Sequence, residues 1–198
     1  MAISAADVKA LRERTGAGMM DCKRALVEAG GDSDKAVTIL REKGVAAASK
    51  KSSREAKEGV IHTYIHPGSR IATMVELNCE TDFVARNDMF QSLARDIAMQ
   101  VAATKPQAVG REQMSQGLVD EESEIYRNQA KNEGKPDNII DRIIQGRIEK
   151  FYQENCLLEQ PFIRDTDKTV KDLITDAVGT LGENIQIRRF IRYELGGE

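Results

Sequence analysis

A chain of 198 residues, 40% hydrophobic and 31% charged, suits one domain of ordinary size or a small module joined to a larger one, with a surface made for water. Its 29 basic and 32 acidic side chains leave a net charge of −3 with the two signs interleaved, which disfavours direct nucleic-acid binding and favours a protein partner. No run of about eighteen apolar residues is present, the start lacks a signal-peptide pattern, and the cysteines, Cys22, Cys79 and Cys156, are scattered and odd in number, so no membrane span and a reducing, cytoplasmic setting are expected.

The first part reads as three short helices. Ser4 with Asp7 makes a capping box and Gly16 a stop, with Val8 and Leu11 on one face between them. A second helix follows "GAGMM", turns Ala25 and Leu26 inward and ends at Gly30-Gly31. Asp32 or Ser33 caps a third, with Val37 and Leu40 inward and Gly44 as its stop. Residues 1–44 thus form a three-helix docking module, too small for an enzyme. Residues 45–59, "VAAASKKSSREAKEG", are rich in Ala, Ser and Lys and read as a tether, or alternatively as a solvated helix.

Residues 60–198 read as an α+β core. "VIHTYIH" and "RIATMVELNC" flank "PGS" as a β-hairpin, with Ile71, Thr73, Val75, Leu77 and Cys79 on one face. A helix from about Asn87 to Thr104 carries the stripe Phe90, Leu93, Ala94, Ile97, Ala98 and Val101. Residues 121–158 form two helices broken near "GKP", an antiparallel helical hairpin whose second arm is capped by Asp137 and repeats Ile140, Ile144, Ile148 and Tyr152. Pro161 and Phe162 open a short extended piece. A helix from Thr169 to Leu181 ends at "GEN". A last strand follows, with Ile185, Ile187, Ile191, Tyr193 and Leu195 on one face. The whole is a small antiparallel sheet with helices packed on one side.

Motifs of chemistry are sparse. "GAGMMD" lacks the third glycine of a dinucleotide fingerprint and no strand precedes it; no GxxxxGK occurs. His62 and His66 lie about 13 Å apart along a strand, too far to share one metal ion. No Ser-His-Asp order or CxxC motif points to covalent catalysis. No catalytic residue, metal or cofactor is expected. Apolar side chains where structure does not demand them remain. Met19 and Met20 open a helix, either as core filling or as an adaptable binding surface. Phe83 stands at a strand–helix joint. Its seven-residue spacing to Phe90 and Ile97 places it on the core stripe of a continuous helix, whereas a cap at Asn87-Asp88 starts the helix after it and leaves it displayed.

"VKALRERTGAGMMDCKRAL" (Val8 to Leu26) and "NCETDFVARND" (Asn78 to Asp88) closely resemble the two signature regions of the bacterial elongation factor Ts family, and "QPFI" and "GENIQIRRF" resemble further family segments. The resemblance touches nearly the whole chain. It implies a guanine-nucleotide exchange factor for elongation factor Tu, without covalent chemistry of its own. It also implies an N-terminal module like a ubiquitin-associated domain. Long family members have a core of two similar halves. Here one hairpin and one terminal strand are visible, which resembles the short form and implies a homodimer in a two-plus-two complex. Residue by residue, Thr81, Asp82, Phe83 and Val84 match the segment that dislodges magnesium from the partner's nucleotide site, with Phe83 as the wedge and Asp82 hydrogen-bonding beside it. Arg12, Met19 and Met20 match the surface that docks the helical module, and His66, Ile185 and Ile187 resemble further contact positions.

Overall fold

The computed structural model describes residues 3–197, apart from the side chain of Asp137. The fold is α+β: among the described residues eight α-helices accompany a small antiparallel sheet of order β1-β2-β5 and a second, two-stranded sheet β3-β4. The chain divides into two compact units. The first runs from the N-terminus to Ile61 and takes in Glu76–Ala94 and Asp172–Gln186; the second comprises His62–Val75, Arg95–Lys171 and the chain from Ile187 onward.

In the first unit, helices α1 (Ala5–Thr15), α2 (Met19–Glu28) and α3 (Ser33–Lys51) surround a core of Val8, Leu11, Cys22, Ala25, Leu26 and Ala36, against which Val37 and Leu40 pack half-buried. The ends form as the residue types dictate. The Ser4 hydroxyl accepts from the Asp7 N–H at 3.2 Å while the Asp7 carboxylate accepts from the Ser4 N–H at 3.0 Å. Gly16 closes α1 at φ +68°, and Asp32 caps α3 by accepting from the Asp34 and Lys35 N–H groups.

Helix α3 does not stop at Gly44. It continues through the alanines to Lys51, so the first part of the expected tether is helix. Gly44 costs such a helix roughly 1 kcal/mol, which Ala46 to Ala48 offset as the best helix formers, and Lys50 and Lys51 complement the dipole of the last turn. Gly44 also lies beside Gly179 of α8 (Val170–Leu181): a Cβ on Gly179 would stand 3.7 Å from the Gly44 Cα. Arg41 reaches Asp172 of α8 at 3.0 Å.

Strands β1 (Glu58–Ile65) and β2 (Ile71–Cys79) form the expected hairpin, closed by His66 N–H donating to the Ile71 carbonyl at 2.9 Å. Thr73, Val75, Leu77 and Cys79 are buried on one face of β2, as their alternation requires. Helix α5 (Asp88–Thr104) buries its whole predicted stripe, Phe90 through Val101.

In the second unit, the Thr73 hydroxyl donates to the Ala98 carbonyl at 2.9 Å, and the Arg192 Nε donates to the Ala102 carbonyl at 3.2 Å. Both strands thus face α5 through these residues, and Met74, Ile191 and Tyr193 point the other way by strand alternation. There the expected apolar face of β5 (Gln186–Glu194) is bare: Ile191, Tyr193 and Leu195 are exposed, as are Ile65 and Met74, whereas Ile185 and Ile187 at its start are buried.

The helical hairpin comprises α6 (Gln116–Asn132), which starts earlier than expected because Val119 is already buried, and α7 (Asp137–Asn155). Ala130, Ile140 and Ile144 form its small core with Tyr126 and Ile148. Asp137 opens α7; its proposed capping side chain lies outside the described residues. Arg111 bridges Glu149 and Glu159 with its guanidinium 4.5 Å from the Tyr152 ring centroid. The extended piece at β3 (Pro161–Phe162) has a partner that went unread, β4 (Asp165–Thr169). "DTDKT" is polar at every position, so no hydrophobic alternation announces it.

Two glycines test this account. Gly44→Ala is expected to raise stability by about 0.5–1 kcal/mol, because an added Cβ meets nothing within 4 Å. Gly59→Ala is expected to cost about 3 kcal/mol or more, because φ is +146° and the Cβ would stand 2.1 Å from the Leu77 carbonyl oxygen. Urea unfolding of both variants checks the opposite signs.

Candidate functional site

The joint between β2 and α5 is built in the first unit. After Cys79 the chain turns at Glu80-Thr81 into a single helical turn, α4 (Asp82–Ala85), and then into α5. Thr81 caps α4, its hydroxyl accepting from the Val84 N–H at 3.5 Å. The Asn87 side chain accepts from the Met89 N–H at 2.8 Å and starts α5 afresh, so α4 and α5 are not one continuous helix. The stripe that would have carried Phe83 inward is broken there. Phe83 is 81% exposed, the most exposed of the large apolar side chains among the described residues. Ala85 is buried beneath it, and Val84 and Asp82 are half-buried. Asp82 pairs with Arg86 at 2.9 Å.

A phenyl ring held out in water needs a backbone that cannot fold it back. That backbone is clamped from the far end of the chain. Glu183 follows the helix stop Gly182; one carboxylate oxygen accepts from the Glu80 and Thr81 N–H groups, each at 3.0 Å, and the other from the Thr81 hydroxyl at 2.6 Å. In return the Glu80 carboxylate accepts from the Asn184 N–H at 2.6 Å and meets Arg54 at 3.4 Å. The buried Asn184 amide donates to the carbonyls of Arg54 at 2.7 Å and Ser52 at 3.4 Å. Three stretches far apart in sequence thus meet at one turn. Sequence reading treated "GEN" as a helix stop and missed Glu183 and Asn184 as builders of the joint. An acid and an amide directly after a left-handed glycine are a local signal, but nothing local names partners about a hundred residues away.

The remaining candidates divide by place. Arg12 is exposed on α1, and Met19 and Met20 are 57% and 62% exposed at the start of α2, so neither methionine fills the core. Ile185 belongs to the same unit but is 3% exposed. His66 and Ile187 belong to the second unit. His66 is exposed at the hairpin turn, its Nδ1 3.1 Å from the Tyr64 hydroxyl, while Ile187 is 6% exposed. Ile185 and Ile187 are thus not displayed at the surface of this chain, unlike the other candidates. Ile185 is buried just before β5 and Ile187 is buried within its first residues.

Burial pushes the Cys79 thiol up to about 11, helped by the nearby Glu183 carboxylate, and its Sγ donates to the Thr81 carbonyl at 3.1 Å. Burial likewise raises Cys156 to about 11. Burial and the Arg95 charge lower His62 below its ordinary value. Among the described residues no cluster of three or more His, Cys, Asp or Glu side chains has the geometry of a metal site. None of the helices is long and apolar enough to cross a membrane, among the same residues.

Comparison with known proteins places these residues in context. A family model described as Elongation factor TS matches residues 28–197. The protein named elongation factor Ts from Desulforamulus reducens is 60% identical over 194 residues, which cover 98% of this chain and 89% of that one. Its namesake from Carboxydothermus hydrogenoformans is 62% identical over 189 residues, covering 96% and 87%. That from a Thermoanaerobacter species is 60% identical over 194 residues, covering 98% and 95%.

The thiols give a measurable consequence. A folded-state pKa raised above the ordinary 9.0 means that the unfolded chain ionises first as pH rises. The stability held by neutral Cys79 and Cys156 is therefore full below pH 9 and lost between about 9 and 11. Both thiols are expected to resist an aromatic disulfide reagent at pH 8 in the native protein and to react fully in denaturant, as absorbance titration reads directly.

Proposed function

The chain belongs to the elongation factor Ts family, and from that premise we propose that it is a guanine-nucleotide exchange factor for elongation factor Tu, working in the cytoplasm during translation elongation. The observation that carries the mechanism is the exposure of Phe83 on a capped, clamped turn. In this reading Phe83 enters the nucleotide domain of the partner beside its magnesium ion. Thr81, Asp82 and Val84 shape the turn around it, and Asp82 supplies a hydrogen bond. Magnesium bridges phosphate and protein, so displacing it weakens GDP retention and allows GTP to reload. No covalent step is required, and no side chain of this protein acts as a catalyst of bond making.

The magnitude is adequate. Burying one phenylalanine from water supplies about 1.5–3 kcal/mol, which corresponds to roughly ten- to hundredfold in the release equilibrium. Further strain on the phosphate site comes from docking elsewhere. We assign that docking to the three-helix module, which in this proposal resembles a ubiquitin-associated domain, with Arg12, Met19 and Met20 on its contact surface. Unbranched, polarizable methionines suit a surface that must adapt to a moving partner. The tether that joins the module to the core is then helical as far as Lys51, turns at Ser52 to Arg54 and enters strand β1 at Glu58. His66 adds a contact from the core. Coupling is reciprocal: a factor that weakens GDP binding is itself weakened by GDP to the same degree, and the nucleotide can release it.

The bare sheet face in the second unit supports a homodimer. Ile65, Met74, Ile191, Tyr193 and Leu195 are all exposed there, and a second copy would cover them isologously. Two copies with two Tu molecules would complete the assembly.

Each part has its own measurement. Phe83→Ala is expected to slow GDP release from Tu roughly ten- to hundredfold in stopped flow with a fluorescent GDP analogue. Its melting temperature should stay near the parent's, because an exposed side chain contributes within about 0.5 kcal/mol to folding. Unchanged release would sink the wedge role. Replacing Ile191 and Tyr193 together by Glu is expected to yield monomers in sedimentation velocity; a parent species that already sediments as a monomer would rule out the dimer.

A further inference from the structure

Resting on the wedge reading, we propose that Glu183 is a positioning residue for exchange, holding the turn at Glu80-Thr81 so that Phe83 is presented already in its working orientation. Three facts support it. One carboxylate takes both adjacent N–H groups and the Thr81 hydroxyl, which leaves the turn no freedom to pivot about either peptide. The same hydroxyl caps the turn that carries Phe83, so the clamp and that cap share the Thr81 Oγ1. The bond from the Asn184 N–H to Glu80 makes the clamp reciprocal, as in a capping box spread over two distant segments.

The reason for such a device is entropic. A phenyl ring on a loose turn must be ordered when it enters the partner, and that cost subtracts from the energy available to displace the ion. A turn ordered in advance delivers the ring's burial to the partner's nucleotide site without that loss. Glu183 touches neither magnesium nor nucleotide in this account. It acts through Thr81 and Phe83 alone.

The split between affinity and rate separates this role from a general structural one. Docking through Arg12, Met19 and Met20 is independent of the turn, so Glu183→Ala is expected to leave the concentration for half-maximal exchange within about twofold of the parent. The maximal exchange rate is expected to fall about tenfold, the loss of charge-assisted hydrogen bonds at the turn. Amide hydrogen exchange at Glu80 and Thr81 should accelerate in the free protein. Glu183→Gln is the rescue: its amide oxygen can accept from both N–H groups while its NH2 donates to the Thr81 hydroxyl, so it should retain most of the rate. Should Glu183→Ala not fold, Thr81→Val removes the hydroxyl and spares both N–H bonds, and a loss of about threefold is expected. A parent-like maximal rate in Glu183→Ala, or in Thr81→Val where that variant replaces it, overturns the positioning role if Phe83→Ala is slow. Parent-like rates in Phe83→Ala as well overturn the wedge reading beneath it.

Discussion

A carboxylate that accepts three hydrogen bonds from two consecutive residues fixes a piece of backbone more firmly than any cap of its own could. At the end of β2 that carboxylate belongs to Glu183, and the piece it fixes is Glu80-Thr81. Thr81 then caps α4, α4 ends before Asn87 opens α5, and the break between the two short-range caps is what leaves Phe83 in water. Were the two helices continuous, the seven-residue spacing to Phe90 and Ile97 would draw the ring into the core. The turn that carries this exposed side chain is thus bonded to a residue about a hundred positions further along the sequence.

The same corner gathers other parts of the first unit. Asn184 holds the carbonyls of Ser52 and Arg54, the residues that follow α3, and Arg41 and Gly44 of α3 lie against Asp172 and Gly179 of α8. Local electrostatics add little here, since the exposed ion pairs at Asp82–Arg86 and Arg54–Glu80 are worth well under about 1 kcal/mol each. The backbone bonds to Glu183 and Asn184 matter more because they satisfy groups that the end of a strand and the start of a helix would otherwise leave unpaired.

Much of this was legible from residue types alone, and the boundary of what was legible has physical causes. Caps and stops at Ser4, Asp7, Gly16 and Asp32 are local chemistry and read correctly. The stripes on β2 and α5 read correctly because each faces one core continuously. Gly44 misleads because a glycine's helix penalty is small beside the helix propensity of the alanines that follow it. β4 was silent because a polar ladder carries no hydrophobic period. The apolar alternation of β5 was read, but alternation cannot say whether a face is covered: Ile185 and Ile187 are, Ile191 and Tyr193 are not. For Phe83 the seven-residue spacing points to the core, and only the cap at Asn87 and the resemblance favour display.

The unbroken helix through Gly44 has a geometric meaning. A flexible tether transmits only a maximum distance, whereas a helix fixes rise and azimuth together, about 1.5 Å and 100° for each residue. Helix α3 begins among the core residues of the three-helix cluster and ends at Lys51, just before the carbonyls that Asn184 grips. Its residue count therefore works as a gauge. Adding or removing one residue after Gly44 would change the reach only slightly but swing the surface bearing Met19 and Met20 through more than a quarter of a turn. Seen this way, the alanine run is a setting of phase, and its length is as much a part of the design as any side chain on it.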